Sequence, residues 1–283
     1  MDAMVKTGGL EPIFTAHLFQ RLEDKLLDLL RSLQPEDWTK QTIAGRWKVR
    51  DVAAHMLDTQ LRKLSFVRDG FRPQAAGAAP PGDLVKFVNR LNQDGVAMYG
   101  KLSSQVLISL MEVVSRESSQ YHQSLDPFAN ADFAVSWAGE AASANWFDTA
   151  REFTERWHHQ QQIRLAVNKP GIATPEFYHP VLDCFMRALP YHYRTLSRPS
   201  GATVQFSISG NCGGEWYLRR DHESWQPMAA PPGSLTSRTE IPQEIAWQIF
   251  TKGMSADAAK ARVTVTGDTE LGLHVLHMVA IIG

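Results

Sequence analysis

The segment Thr154-Glu-Arg-Trp-His-His-Gln-Gln-Gln-Ile-Arg164 lies in a longer run, from about Trp146 to Val167, that predicts an α-helix with two unlike sides. Aromatic side chains fall on one side of this helix, whereas Glu155 and His159 share the other because they are four residues apart. A carboxylate oxygen and an imidazole nitrogen at this spacing are able to bind one metal ion. A solvent-exposed helix pair with no ligand is the common alternative for the same spacing.

Three further helices are predicted before this one from the recurrence of apolar residues at helical spacing. Their predicted ranges are about 13–33, 49–67 and 84–120. Gly95 and Gly100 are candidate kinks in the long third helix. The stretch from about residue 68 to residue 82 is rich in Gly, Pro and Ala, which predicts a loop. Four helices of this length predict a four-helix bundle.

The residue pattern changes after Pro170, where segments that alternate between polar and apolar residues first appear. This change predicts two domains, a helical bundle over residues 1–170 and a small α+β domain over residues 171–283. The predicted elements of the second domain are a helix at 176–196, strands at 203–209, 215–219, around 225, at 234–239 and at 262–268, a helix at 241–251, and an apolar helix or strand at 271–282. The turn Asn211-Cys-Gly-Gly214 predicts a β-hairpin. The predicted fold class is therefore α+β.

Composition and charge exclude several classes of function. Of the 283 residues, 43% are hydrophobic, which is typical of a globular chain, and the net charge of −1 gives no electrostatic basis for binding nucleic acid. The two cysteines, Cys184 and Cys212, are too few and too widely spaced for a disulfide framework, which favours free thiols in a reducing compartment. The sequence has no signal core and no stretch long enough to span a membrane. We therefore expect a cytoplasmic protein.

A third metal ligand must come from another part of the chain, and His55 in the second predicted helix is the best candidate. Taken alone, a histidine in this apolar setting is more often a core residue. The segment Trp47-Lys-Val-Arg-Asp-Val-Ala-Ala-His55, however, resembles the W-x-V-x-D-x-x-x-H segment that opens the second helix of DinB-like bundles. It more closely resembles the N-terminal domain of mycothiol-dependent maleylpyruvate isomerases. That family also carries a Glu-x-x-x-His pair on its last bundle helix, matched here by Glu155 and His159.

The resemblance implies a divalent metal held by His55, Glu155 and His159, in a DinB-like four-helix bundle of about 170 residues. It also implies a sterol-carrier-like C-terminal domain. The family often continues its last motif as His-x-x-Asp-Ile-Arg, so Gln162 stands where that family often has Asp. Gln162 and His158 are candidates for supporting the ligands or contacting substrate. His158 points about 100° away from His159 around the helix, so it is not expected to be a ligand itself.

Two arginines are candidates for pairing with the carboxylates of a substrate. Arg62 falls near the face of His55, and Arg151 falls near the face of Glu155. Surface charge is the alternative interpretation for both. No catalytic residue is assigned from the sequence.

The leading hypothesis for function is a metal- and thiol-dependent isomerase or thiol transferase. Zinc is the default metal for two histidines and a carboxylate, although nickel, iron, cobalt and manganese also accept this ligand set. The resemblance implies a low-molecular-weight thiol such as mycothiol as a cofactor, and an unsaturated dicarboxylate as the small-molecule substrate. The alternatives are a non-catalytic metal-binding stress protein of the DinB-like kind, and a protein that binds a lipid or another apolar ligand through its C-terminal domain. The oligomeric state stays open.

Overall fold

The computed structural model describes residues 10–71 and 84–281 of the chain. Most of the predicted loop at 68–82 lies outside the described residues, as do the first nine residues and the last two. Within the described ranges, no helix is long and apolar enough to cross a membrane. The contacts group the described chain into two units.

The first unit, called here the helical unit, comprises residues 15–126 and 155–172. The second, called the mixed unit, comprises residues 10–14, 127–154 and 173–281. The helix that carries the Glu155 motif therefore contributes its first part to the mixed unit and its second part to the helical unit. The predicted division between residues 170 and 171 stays a prediction.

The helical unit is built from long amphipathic helices. They are α1 (Phe19–Arg31), α2 (Val49–Lys63), α3 (Leu84–Tyr99), α4 (Ser104–Ser124) and the second part of α5 (Asn145–Val167), with a π-helical turn at Leu64–Arg68 and 3-10 turns at Ala16–Leu18 and Asp37–Thr39. Helix α1 packs against α4, and α2 packs against both α3 and α4. Leu26, Leu30 and Leu57 are buried in the core where these helices meet.

The prediction of one continuous third helix over residues 84–120 is wrong, because the chain forms two helices there. Helix α3 ends at Tyr99, and α4 starts after Ser103, whose hydroxyl accepts a hydrogen bond from the Val106 backbone N–H. A serine at this position satisfies an amide that has no partner inside the helix. The guanidinium of Arg50 donates two hydrogen bonds, of 3.1 and 2.7 Å, to the carbonyl of Leu102 and so anchors the break.

The mixed unit contains a five-stranded sheet in the order β3-β2-β1-β4-β5. Its strands are β1 (Thr203–Ser209), β2 (Gly214–Asp221), β3 (Ser224–Met228), β4 (Ser237–Pro242) and β5 (Thr264–Gly267). Its helices are the first part of α5 together with α6 (Pro175–Met186), α7 (Leu189–Tyr193), α8 (Gln243–Phe250), α9 (Ala256–Lys260) and α10 (Thr269–Leu273). Two 3-10 turns lie at Ser136–Ala138 and His274–His277. Strands β1 and β2 form the predicted antiparallel hairpin, while β1 and β4 run parallel.

Three element predictions in this unit need correction. The helix predicted at 176–196 is divided into α6 and α7, and the helix predicted from residue 241 starts only at Gln243 because Ile241 and Pro242 end β4. The described part of the apolar run at 271–282 is short helical turns rather than one regular element. The α+β class, with helices in the N-terminal part and a sheet in the C-terminal part, is confirmed.

Candidate metal centre

The segment Trp47–His55 forms the start of α2, and its sequence explains how His55 is held there. The carboxylate of Asp51 accepts a hydrogen bond of 2.9 Å from the Lys48 backbone N–H, which caps the helix. Val49 is fully buried, and the indole of Trp47 lies against the imidazole of His55 with ring centroids 4.7 Å apart. The cap and the apolar anchor orient this first turn so that His55 points inward, where only 5% of it is exposed.

Helix α5 brings three possible metal donors together within two turns. Oε2 of Glu155 lies 3.7 Å from Nε2 of His159 and 3.6 Å from Nδ1 of His158. One donor atom from each of these three residues lies within 4.8 Å of the others. Residues three and four positions apart share a helix face, so Glu155 is able to reach both histidines. The structure therefore places His158 next to the predicted pair, which its 100° offset from His159 did not lead us to expect.

His55, on α2, lies against His159 of this group. The imidazole rings of His55 and His159 lie 4.6 Å apart, nearly perpendicular to one another, and Trp47 lies beside both rings. Two imidazoles on one ion, with metal–nitrogen bonds of about 2.1 Å, have ring centroids about 4.6–5.3 Å apart. Nδ1 of His55 is buried and has no hydrogen-bond partner among the described residues. A buried nitrogen without a partner costs free energy, and a metal ion here would remove that cost.

Both histidines are held in the form that binds metal. Burial, together with smaller electrostatic effects of His159 and Arg62, holds the pKa of His55 well below its usual range. Burial also lowers the pKa of His159 to about 4, although its hydrogen bond with Gln162 acts in the opposite direction. A metal binds only the neutral imidazole, so a proton does not compete with it at neutral pH.

Gln162 fixes the tautomer of His159. Its Oε1 accepts a hydrogen bond of 2.9 Å from Nδ1 of His159, so the lone pair of the imidazole is on Nε2, the nitrogen that faces Glu155. A metal-binding histidine usually donates its second N–H to such an acceptor. The amide of Gln162 therefore supplies this acceptor here.

The two arginines singled out in the sequence have partners within their own units. Arg62 donates to the carboxylate of Asp58 at 2.8 Å and to the side chain of Asn92 at 2.7 Å, and Asp58 is 6% exposed. Arg151 pairs with Asp148 and with Glu152. Asp58 is buried one turn after His55, and sequence reasoning did not single it out.

Comparison with known proteins connects this geometry to a family. A family model described as the mycothiol maleylpyruvate isomerase N-terminal domain matches residues 19–164, a range that contains all three predicted ligands. Two solved structures share the fold, with TM-scores of 0.53 and 0.51 at 10% sequence identity, covering 89% of this chain and 91% of theirs. They are the mycothiol-dependent maleylpyruvate isomerase and a histidine-to-alanine mutant of it. No curated protein matches the chain.

The family match spans more than half of the chain, from the start of α1 to the end of the Glu155 motif, and both solved structures cover the two units. The chain therefore belongs to the family defined by the mycothiol maleylpyruvate isomerase N-terminal domain.

Proposed function

We propose that this protein is an enzyme that binds one divalent metal ion, most simply zinc, through His55, Glu155 and His159. The observation that carries the proposal is that the His55 ring on α2 lies 4.6 Å from the His159 ring on α5, while Oε2 of Glu155 lies 3.7 Å from Nε2 of His159. A metal held by two histidines and one carboxylate retains open positions, where it lowers the pKa of a bound thiol or water and so supplies a nucleophile at neutral pH.

The chain's own residues supply the orientation and the environment that this chemistry needs. Gln162 accepts the Nδ1–H of His159 and so presents Nε2 to the site. Trp47 covers the rings of His55 and His159 on one side, which limits the access of water. Burial keeps both imidazoles uncharged, so Glu155 is the one ligand of the three that brings a formal charge. The three protein ligands would therefore neutralise one of the two positive charges of a bound divalent ion.

We further propose that the reactants are a low-molecular-weight thiol and a small unsaturated dicarboxylate. The family to which the chain belongs and the isomerase whose fold it shares support this class, since both are named for mycothiol and maleylpyruvate. The reaction is then an isomerisation or a thiol transfer. Arg62, fixed by Asp58 and Asn92, stays a candidate for binding a substrate carboxylate.

The alternative of an apolar ligand in the C-terminal part receives less support. Large aromatic side chains fill the described interior of the mixed unit, and each is at most 2% exposed: Tyr178, Phe185, Tyr193, Phe206, Trp225 and Phe250. Side chains of this size in the described interior favour a filled core over a long apolar cavity.

The test is elemental analysis of the purified protein beside a His55→Ala/His159→Ala double variant, with His222→Ala as a control. His222 is exposed and belongs to the mixed unit. We expect one equivalent of one metal in the parent and in the control, and a loss of at least tenfold in occupancy in the double variant. Isomerisation of an unsaturated dicarboxylate should then require both the metal and an added thiol. If the parent takes up no metal after reconstitution, the proposal fails. If it binds metal but no thiol, the non-catalytic alternative is favoured.

A further inference from the structure

Arg62 lies close to the metal site because of its position on α2. It follows His55 by seven residues, so the two side chains leave the helix only about 20° apart. Long side chains on a helix lean toward its N-terminal end, and Arg62 follows this rule, since its Nε lies 2.8 Å from Oδ2 of Asp58. Asp58 is three residues after His55, so the guanidinium lies about one helical turn along the axis from that histidine. After burial and His159, Arg62 also contributes to the low pKa of His55.

Two acceptors hold one edge of this guanidinium. Oδ2 of Asp58 accepts a hydrogen bond from Nε, and Oδ1 of Asn92 on α3 accepts one of 2.7 Å from Nη2. Nη1 has no hydrogen-bond partner among the described residues, and 21% of the arginine side chain is exposed. Because an arginine carries five N–H donors in a planar fork, Nη1 keeps two of them for an anion that enters from solvent.

The carboxylate that holds Arg62 is itself buried. Asp58 is 6% exposed, and burial raises its pKa, although Arg62 acts in the opposite direction. A buried charge needs a partner, so the ion pair between Asp58 and Arg62 has little freedom to separate. A guanidinium that is already fixed loses less conformational entropy on binding a ligand than one that moves freely in solvent.

Helix α3 makes room for this ion pair with a glycine. Helix α2 packs against α3, and a Cβ atom at Gly95 would overlap the carboxylate of Asp58. Asn92 is three residues before Gly95, so the helix face that leaves this space also supplies the second acceptor for Arg62. Glycine weakens a helix relative to alanine, which indicates that the space, and not helix formation, is what Gly95 provides.

We propose that Arg62 binds a carboxylate of the substrate through Nη1, and that Asp58 and Gly95 position its guanidinium for this contact. The proposal rests on the proposed metal site and names the substrate class as a short carboxylate whose other end reaches the metal. Arginine binds carboxylates through short, charge-assisted hydrogen bonds. Asp58 offsets much of the charge of Arg62, so the contact selects by the direction of the N–H groups more than by long-range attraction.

The test compares two ligands that differ in one carboxylate. Fumarate and crotonate are both trans four-carbon acids, and crotonate has a methyl group in place of the second carboxylate. Isothermal titration calorimetry of the full-length, zinc-loaded protein gives the ratio of their affinities. A hydrogen bond to a charged group predicts a preference for fumarate of about 10–100-fold in the parent. The preference should fall below about threefold in Arg62→Met and be unchanged in Arg90→Met, which alters an exposed arginine on α3.

The zinc content of each protein separates this proposal from the proposed function. A parent that takes up no zinc would refute the metal site itself. A zinc-loaded parent without a preference for fumarate, or an undiminished preference in Arg62→Met, would overturn the role of Arg62 alone. If Arg62→Met does not fold, Arg62→Lys takes its place, because lysine keeps the charge without the planar fork and should also reduce the preference.

Two further variants test the positioning residues while they leave Arg62 in place. Asp58→Asn removes the charge that fixes the guanidinium, and Gly95→Ala fills the space beside it. Each should reduce the preference for fumarate while zinc stays bound, although alanine by itself favours the helix. A full preference for fumarate in both variants would show that Arg62 is not positioned by these residues.

Discussion

Replacing Gln162 by Leu should weaken metal binding by about 10–100-fold, because the acceptor that fixes the tautomer of His159 is removed. The two residues are joined by one hydrogen bond of 2.9 Å between Nδ1 and Oε1. The side chain of His159 is 13% exposed, so bulk water replaces the lost acceptor only in part. The expected loss corresponds to about 1.4–2.8 kcal/mol.

The size of this effect decides between two descriptions of the bond. A hydrogen bond between neutral groups contributes about 0.5–1.5 kcal/mol, whereas one that involves a charged group contributes about 1.5–3 kcal/mol. A bound metal polarises the imidazole of His159, so its N–H donates more strongly than in the free protein. We therefore expect a value in the upper part of the range. Gln162→Glu keeps an acceptor at the same reach and should retain or increase the affinity.

The assay is competition with a chromophoric chelator, which measures the metal dissociation constant directly. Gln161→Leu is the matched control, since it makes the same substitution one residue earlier at a side chain whose Oε1 has no hydrogen-bond partner among the described residues. The reasoning is refuted if Gln162→Leu binds metal within about twofold of the parent, a difference smaller than a single hydrogen bond predicts.

Two further predictions concern stability. Burial lowers the pKa of His192 to about 4, although the hydrogen bond that its Nε2 donates to the backbone carbonyl of His274 acts in the opposite direction. A histidine with a lowered folded-state pKa stabilises the fold above its unfolded pKa of about 6.5 and loses that contribution as the pH falls toward 4. Acidification from pH 7 to pH 4 should therefore lower the free energy of unfolding by about 2–3 kcal/mol through His192. Chemical denaturation at the two pH values should show a smaller loss in His192→Asn and an unchanged loss in the exposed control His222→Asn. An equally large loss in His192→Asn would contradict the prediction. Arg156→Met should destabilise the protein by about 3–5 kcal/mol in urea denaturation, since Arg156 is 3.0 Å from the carboxylate of Glu23 and the two residues are 5% and 1% exposed. The double variant Glu23→Gln/Arg156→Met should recover most of this loss, and a double variant as unstable as the single one would argue against an unpaired buried charge as the cause.

Local patterns in the sequence were sufficient for the parts of this protein that depend on short-range geometry. Glu155 and His159 share a face because an α-helix repeats every 3.6 residues, and the turn at 211–214 predicted the hairpin of β1 and β2 because its residues favour that turn. The hydrophobic period over residues 84–120 was correct but did not reveal the interruption at residues 100–103. That break depends on a serine cap and on Arg50, which is distant in the sequence.

Only the tertiary structure decided which side chains from different helices meet. The sequence named His55 through a resemblance, whereas its ring lies 4.6 Å from His159 because the packing of α2 and α5 brings the two together. The proximity of His158 to Glu155 depends on side-chain direction as well as helical angle, so the angle alone underestimated it. Burial, which keeps His55 and His159 neutral, is a property of the whole packed bundle and has no local signature in the sequence.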